Sequence, residues 1–263
     1  MQIGAMNHPM RDVVGEISGF REIGFDFVDL TLEPARAHPG ALDVTAVAAV
    51  LSDTGMGVVG HTAWFLPIAS SFDRVRQAAL DEMTACLDVF AELRVRRVNV
   101  HPDQRVSLYD REWVIERNAD ALRYLVARAT ERGIQLMAEN VPGLFNSPET
   151  LRRLLDSVPG LAWHLDVGHA NLGAPRNMTQ RLIESCGDRL VHVHLSDNKG
   201  GDADLHLPLG AGTIDWRWVV SVLKDAGYDD TITLEVFSPE SEYLAISRRK
   251  LRQWWDEAPT NGG

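Results

Sequence analysis

Short apolar segments rich in β-branched residues alternate with longer amphipathic segments along the chain, and this alternation strongly limits the folds available to it. Eight segments have the length and composition of strands, at residues 2–6, 25–32, 57–61, 95–101, 134–139, 161–166, 190–195 and 231–237. Between them, apolar residues recur every three or four positions, as in 75–90 and 114–129, which predicts helices. Strands that alternate with helices through short turns form a parallel sheet with right-handed crossovers.

The number of these strand–helix units selects between two parallel-sheet architectures. Eight units in a chain of 263 residues match a closed (β/α)8 TIM barrel in both number and length. An open, doubly wound sheet is the main alternative. No linker or shift in composition marks a second domain. We therefore expect a single α/β TIM-barrel domain over residues 1–257, followed by a loose C-terminal tail at 258–263.

Charge and cysteine content bear on partners and location. The formal net charge of −11 disfavours nucleic acid as a partner, because affinity for nucleic acid comes largely from cationic side chains. No apolar run approaches the roughly 20 residues of a membrane helix, and the N-terminal segment lacks the pattern of a secretion signal. Cys86 and Cys186 fall in helical patterns without paired spacing. A reduced, cytoplasmic protein without a membrane partner is expected.

Six consecutive strand segments, the third to the eighth, end on or near an imidazole or a carboxylate. In strand order these residues are His61, His101, Glu139, Asp166, His194 and Glu235. The loops just beyond them add His169, Asp204 and His206. The C-terminal ends of the strands form one rim of a TIM barrel, where active sites of this fold are built. We therefore expect these side chains to converge.

Convergence of so many carboxylates predicts a bound cation. Four carboxylates packed together without a cation would repel one another strongly. Mixed nitrogen and oxygen donors suit zinc, manganese, iron or cobalt better than calcium or magnesium. His164 and His192 share the inward parity of the strand-end residues but lie one layer deeper, and we interpret both as core residues. Lys199 is a candidate cation for a phosphate, a carboxylate or a developing oxyanion.

Six motifs in these same regions resemble those of a known superfamily. They read "VNVHP", "AENVPG", "HLDVGHAN", "HVHLSDNKG", "DLHLPLGAGTIDW" and "LEVF". From about residue 1 to 255, the chain resembles the xylose isomerase-like barrels, also called AP endonuclease family 2. This superfamily contains zinc-dependent apurinic endonucleases together with sugar isomerases, epimerases and dehydratases. The resemblance implies a core metal site made by Glu139, Asp166, His194 and Glu235.

The motifs leave two branches of the superfamily open. The endonucleases carry three zinc ions, and the resemblance extends to their further ligands, here His61, His101, His169, Asp204 and His206. Against that branch, the loop after the second strand reads "TLEPARAHP" and lacks the segment rich in Gln, Arg and Trp that those enzymes insert into DNA. The acidic net charge also disfavours binding to DNA. A sugar isomerase or epimerase is therefore the first hypothesis.

The resemblance also implies a mechanism for this first hypothesis. One divalent ion (Mn²⁺, Zn²⁺ or Co²⁺), with up to three accommodated, would polarise a hydroxy-carbonyl sugar or polyol. Glu139 and Glu235 would move a proton through an enediolate, and His169 and Lys199 would steady its oxygen. A trinuclear zinc phosphodiesterase, a sugar dehydratase and a barrel that binds metal without turnover are the alternatives. The oligomeric state is left open, with a homo-oligomer among the options.

Overall fold

The fold is a closed barrel of eight parallel strands. The computed structural model describes residues 1–104 and 109–259. The strands are β1 (Gln2–Met6), β2 (Phe27–Leu32), β3 (Gly57–Thr62), β4 (Arg97–Val100), β5 (Gln135–Glu139), β6 (Ala162–Asp166), β7 (Leu190–Leu195) and β8 (Thr231–Leu234). Each pairs with the next, and β1 also pairs with β8, which closes the sheet. The predicted (β/α)8 barrel is confirmed, and the open sheet is excluded.

A helix follows each strand and covers the outside of the barrel. The helices are α1 (Val13–Ile23), α2 (Val44–Thr54), α3 (Asp73–Glu92), α4 (Arg111–Glu131), α5 (Pro148–Ser157), α6 (Thr179–Cys186), α7 (Trp216–Asp225) and α8 (Glu242–Glu257). Short 3-10 turns cover Leu144–Asn146, His169–Asn171 and Gly187–Arg189. Asp12, Asp43, Asp110, Ser147 and Asp215 cap helices by accepting a bond from the first turn. Of the predicted tail, residues 260–263 lie outside the described residues.

Two strands end earlier than the sequence predicts. β4 stops at Val100 and β8 at Leu234, so His101 and Glu235 occupy the first positions of the following loops. Pro102 directly follows His101 and has no N–H to donate to a neighbouring strand, which explains the end of β4. After β8, the chain leaves the sheet and the amide of Phe237 donates instead to the carbonyl of His206 at 3.2 Å. Both predicted ligand side chains still lie at the rim.

The barrel interior is layered. At its N-terminal end an apolar cluster fills the lumen, made by Phe27, Val59, Met137 and Ala162. Alternate strand residues point inward, so the next inward positions form the layer above this cluster. That layer is polar and buried, and it includes Asp29, Asn99, His164, His192 and Thr233. A much larger apolar core packs between the strands and the surrounding helices. The polar layer thus lies directly beneath the rim that carries the predicted ligand residues.

The two cysteines lie on helices, as the sequence patterns predicted. Cys86 and Cys186 are both free and buried, on α3 and α6 respectively. Within residues 1–104 and 109–259, none of the helices combines the length and apolarity required to traverse a bilayer.

The apolar layer makes Gly4 of β1 intolerant of a side chain. A Cβ at Gly4 would lie 2.3–2.5 Å from three ring atoms of the buried Phe27. We expect Gly4→Ala to lower the free energy of unfolding by roughly 1–3 kcal/mol, because the ring must shift within a packed core. Urea denaturation of the purified variant measures this. Gly19→Ala in α1 is the control, since no atom lies within 4 Å of its Cβ and the change should not destabilise the fold. Equal stabilities of Gly4→Ala and the wild type would contradict the packing assignment.

Candidate metal centre and cavity

The strand-end residues converge on one rim, as predicted, and form overlapping sets of metal-ligand type. Within each set, the ligand atoms lie within 4.8 Å of one another. The three sets at the rim are His61–His101–Glu139, Glu139–Asp166–His169 and Asp166–His194–Glu235. Because Glu139 and Asp166 each belong to two sets, the sets form one continuous cluster from β3 to β8.

Glu139 is the centre of the first two sets. Its Oε2 lies 2.6 Å from Nε2 of His101 and 3.2 Å from Nδ1 of His164, and its Oε1 lies 2.9 Å from Nδ1 of His169. Nε2 of His61 is 3.8 Å from Oε2. Burial alone would raise the pKa of Glu139, but the imidazoles of His101 and His164 hold it well below the usual range. The side chain is thus an ionised carboxylate surrounded by imidazoles.

Asp166 is held in place through its backbone while one carboxylate oxygen is left unbonded. Asn140 accepts a hydrogen bond from the Asp166 amide and donates one to its carbonyl, both at 2.9 Å. Asp166 Oδ1 accepts from the amide of His169 at 2.6 Å. Oδ2 has no hydrogen-bond partner among the described residues. Burial raises the pKa of Asp166 to about 7, and the carboxylates of Glu139 and Glu235 add to that rise.

His194 links the rim to the polar layer below it. Its Nδ1 lies 3.2 Å from Oε2 of Glu235 and 4.0 Å from Oδ2 of Asp166. Its Nε2 lies 2.7 Å from Oδ2 of Asp29. Burial alone would lower the pKa of His194, but the Asp29 and Glu235 carboxylates hold it well above the usual range. The ring therefore has one nitrogen at the rim and the other in the lumen.

The loop after β7 brings a further group of ligand-type residues to the rim. Asp204 Oδ2 lies 3.1 Å from Nε2 of His169 and 3.0 Å from Nε2 of His206. His206 Nδ1 is 3.6 Å from Oε2 of Glu235. Burial would lower the pKa of His206, but the carboxylates of Glu235 and Asp204 raise it to about 9. All nine residues predicted as metal ligands therefore belong to one connected cluster.

Asp197 fixes the loop that carries Asp204 and His206. Its backbone forms an isolated antiparallel bridge with Leu207. Its carboxylate accepts hydrogen bonds from the Gly210 amide at 2.8 Å and from the indole of Trp216 at 2.9 Å. The loop is thus tied to the end of β7 and to the start of α7.

Lys199 does not join the cluster. Its neighbour Asn198 takes the buried position, where its side chain donates to the Gly168 carbonyl and accepts from the Gly200 amide. Lys199 itself is exposed and is absent from the residues that line the cavity above the cluster. The predicted role of Lys199 toward a substrate oxygen stays a prediction, because Lys199 does not line this cavity.

A cavity of about 700 Å³ opens above the cluster. Six of the nine predicted ligands line it: His61, His101, His169, Asp204, His206 and Glu235. Glu139, Asp166 and His194 lie beneath them and are buried. Trp64 and Phe237 form part of the wall, and both remain substantially exposed.

Sequence reasoning missed several polar residues of this region. Glu33, directly after β2, and Asn7, directly after β1, line the cavity. Burial raises the pKa of Glu33, and the carboxylate of Glu235 adds to the rise. Asp29 lies on the inward face of β2, and Asn99 donates to Oε2 of Glu139 from β4. Asn7 and Glu33 occupy the positions directly after the first two strands, which the sequence pattern marks. Asp29 and Asn99 have the inward parity of their strands, which the sequence also contains.

The residues present fit a divalent cation. Three buried ligand atoms have no hydrogen-bond partner among the described residues: Glu139 Oε1, Asp166 Oδ2 and His61 Nε2. Glu139 Oε1 is close to His169 Nδ1, but the two groups are not aligned for a hydrogen bond. Buried polar atoms without partners are costly, and a cation among carboxylates and imidazoles would satisfy them. The donors suit a transition-metal ion or zinc.

Two curated relatives cover most of the chain. An uncharacterized protein of Methanocaldococcus jannaschii is 32% identical over 203 residues, which are 70% of this chain and 69% of that protein. The L-ribulose-5-phosphate 3-epimerase UlaE of Salmonella paratyphi A is 24% identical over 253 residues, which are 89% of this chain and 85% of the enzyme.

A solved structure and a family model both match this chain over most of its length. A crystal structure described as a D-tagatose 3-epimerase-like protein superposes with a TM-score of 0.85 over 97% of both chains, at 23% identity, and so shares the fold. The model of the family described as xylose isomerase-like TIM barrel matches residues 20–258. The match covers nearly the entire barrel, including every residue of the cluster described above. The chain belongs to the xylose isomerase-like TIM barrel family.

Proposed function

We propose that this protein is a divalent-metal-dependent sugar epimerase or isomerase. The observation that carries the proposal is the set of Glu139, Asp166, His194 and Glu235, delivered by four consecutive strands to the floor and wall of one cavity. The similarity to an enzyme named as an L-ribulose-5-phosphate 3-epimerase, over 85% of its length, supports the same assignment. A ketose or related polyol is the proposed substrate.

Those four residues would hold the metal ion. When bound, the ion would act as a Lewis acid toward adjacent oxygens of a hydroxy-carbonyl substrate. Its charge would also offset the mutual repulsion of the three carboxylates. Asn140 and the His169 amide, which already bond Asp166, would keep that ligand oriented.

We propose that Glu235 transfers the proton to or from the substrate carbon next to the carbonyl group. Its side chain lines the cavity, so a substrate carbon can reach its carboxylate. Glu139 lies below the cavity, but His101 lines the cavity and its Nε2 is 2.6 Å from Glu139 Oε2. We propose that the Glu139–His101 pair serves the opposite face, with the imidazole passing the proton. His169 also lines the cavity and would donate to the developing enediolate oxygen.

The cavity suits a small hydroxylated molecule. Its volume of about 700 Å³ falls within the range typical of small-molecule sites. Trp64 and Phe237 would cover the C–H face of a sugar, while Glu33 and Asn7 would bond its hydroxyl groups. The role of Lys199 toward the enediolate oxygen stays a prediction, since its side chain does not line the cavity. Residues 1–257 as a single domain, the cytoplasmic location and the oligomeric state stay predictions.

A second candidate function is a multinuclear metal-dependent phosphodiesterase. The observation that favours it is the presence of two further ligand groups beside the proposed site. His61 and His101 meet at Glu139, and His169 and His206 meet at Asp204. Several ions held this way would clamp a phosphate and supply a hydroxide nucleophile. A sugar dehydratase would share the first proton transfer of the epimerase and then expel a β-hydroxyl group.

We expect Glu235→Gln to lose most of the proton exchange at carbon. With a ketose panel in deuterated water, the wild type should incorporate deuterium next to the carbonyl. The variant should be slower by on the order of 10²-fold or more, because the amide cannot accept the proton. Mass spectrometry of the recovered sugars measures the exchange, and metal analysis confirms that the variant is loaded.

Glu240→Gln is the control for this exchange measurement. Glu240 is an exposed carboxylate in the same loop, and its substitution should leave the rate unchanged. Undiminished exchange by metal-loaded Glu235→Gln would remove Glu235 from the mechanism. A wild type that exchanges no sugar of the panel would contradict the epimerase proposal.

We expect no nicking of an abasic DNA duplex at physiological salt. The expectation rests on the net charge of −11, which opposes binding to phosphates, and on the loop after β2, which lacks a segment rich in Gln, Arg and Trp. A nicking assay with zinc supplied, combined with the metal content of the same sample, tests the two candidates. About one tightly bound ion per chain and intact DNA support the epimerase. About three ions and efficient cleavage would replace it with the phosphodiesterase.

A further inference from the structure

Asp29 occupies the polar layer under the proposed metal site and is completely buried. Its Oδ2 lies 2.7 Å from Nε2 of His194, a residue on β7 at the other side of the lumen. The same oxygen accepts from the hydroxyl of Thr233 at 2.8 Å and lies 3.3 Å from Nε2 of His192. Asp29 is absent from the residues that line the cavity, so its contacts point to the rim ligand rather than to a substrate.

The short contact determines which nitrogen of His194 carries a proton. An ionised carboxylate can only accept hydrogen bonds, so the 2.7 Å contact requires a proton on Nε2. A divalent ion that replaced the proton on Nδ1 would then bind through the lone pair of that nitrogen. That nitrogen is the one that faces Glu235 and Asp166, at 3.2 Å and 4.0 Å. Nδ1, the proposed ligand nitrogen, therefore faces the proposed metal position.

Two more side chains hold Asp29, one from β8 and one from β7. Thr233 lies on β8, and His192 lies on β7, where its Nδ1 is 2.8 Å from the hydroxyl of Thr231. A carboxylate fixed in this way can also fix the ring plane of His194. A buried charge contributes little to fold stability on its own, because its desolvation offsets the gain from its contacts. A role toward the metal ligand explains why the lumen contains one.

We propose that Asp29 is a positioning residue, which holds the His194 ring with its Nδ1 directed at the divalent ion. The inference rests on the proposed function, since it takes His194 to be a metal ligand. Carboxylates that accept from the second nitrogen of a ligating imidazole orient the ring and increase its basicity. Asp29 thus acts through His194 and touches neither the ion nor the substrate.

Asp29→Asn tests this with a readout that does not depend on turnover. We expect the affinity for Mn²⁺, measured from the electron paramagnetic resonance signal of the free ion, to fall by about 10–100-fold. Circular dichroism melting of the metal-free variant separates this loss from unfolding. Asp26→Asn is the control: Asp26 lies just before the same strand, where its carboxylate accepts from the Ile3 amide at 2.8 Å, and its loss should leave the affinity unchanged.

A second measurement uses the unaltered chain and so does not depend on how Asp29→Asn folds. Nitrogen-15 NMR of the Zn²⁺-loaded protein, with His194→Asn used for assignment, reports the tautomer of His194. We expect a proton on Nε2 and a zinc-bound Nδ1. Zinc bound to Nε2 would overturn this inference alone. A folded Asp29→Asn variant that binds Mn²⁺ as tightly as the wild type would do the same. Failure of the wild type to bind either ion would overturn it together with the proposed metal site.

Discussion

The electrostatic balance between buried carboxylates and imidazoles at one end of the barrel governs the rest of this structure. Glu139, Asp166 and Glu235 are buried at the rim, and Asp29 is buried just below them. Glu139, Asp29 and Glu235 each have an imidazole nitrogen within 3.2 Å of a carboxylate oxygen. Asp166 lacks such a contact, and burial raises its pKa to about 7. A divalent ion would supply the positive charge missing there, and its binding would stabilise the folded chain by mass action.

The backbone near Asp166 shows how the fold accommodates this balance. The chain turns directly after β6 so that the His169 amide donates to Asp166 Oδ1 at 2.6 Å. Gly168 makes the turn possible, because a Cβ there would lie 2.5 Å from the Ser196 hydroxyl and 3.2 Å from Asp166 Oδ1. The imidazole of His169 then reaches both Glu139 and Asp204. One short turn therefore connects the proposed metal site with the loop after β7.

Much of this arrangement could be predicted from the sequence, because it depends on regular periodicity. The alternation of strands and helices predicted the barrel. Strand ends identified six members of the cluster, and the adjoining loops added the other three, His169, Asp204 and His206. His164 and His192 are buried in the lumen, as their parity predicted. Lys199 could not be placed, since a loop has no periodicity, and Asn198 takes the buried position beside it. Strand parity places Asp29 on the inward face of β2, but its contacts with His194 and Thr233 join strands far apart in sequence and could not be predicted.

Anomalous diffraction from crystals grown with Mn²⁺ tests the central claim most directly, because it locates the ion without reference to activity. The account predicts an anomalous peak enclosed by Glu139, Asp166, His194 and Glu235, with Nδ1 of His194 as the nitrogen ligand. Further peaks near His61 or His206 would add ions without removing the first. Well-ordered crystals with no peak between these four side chains would contradict the account.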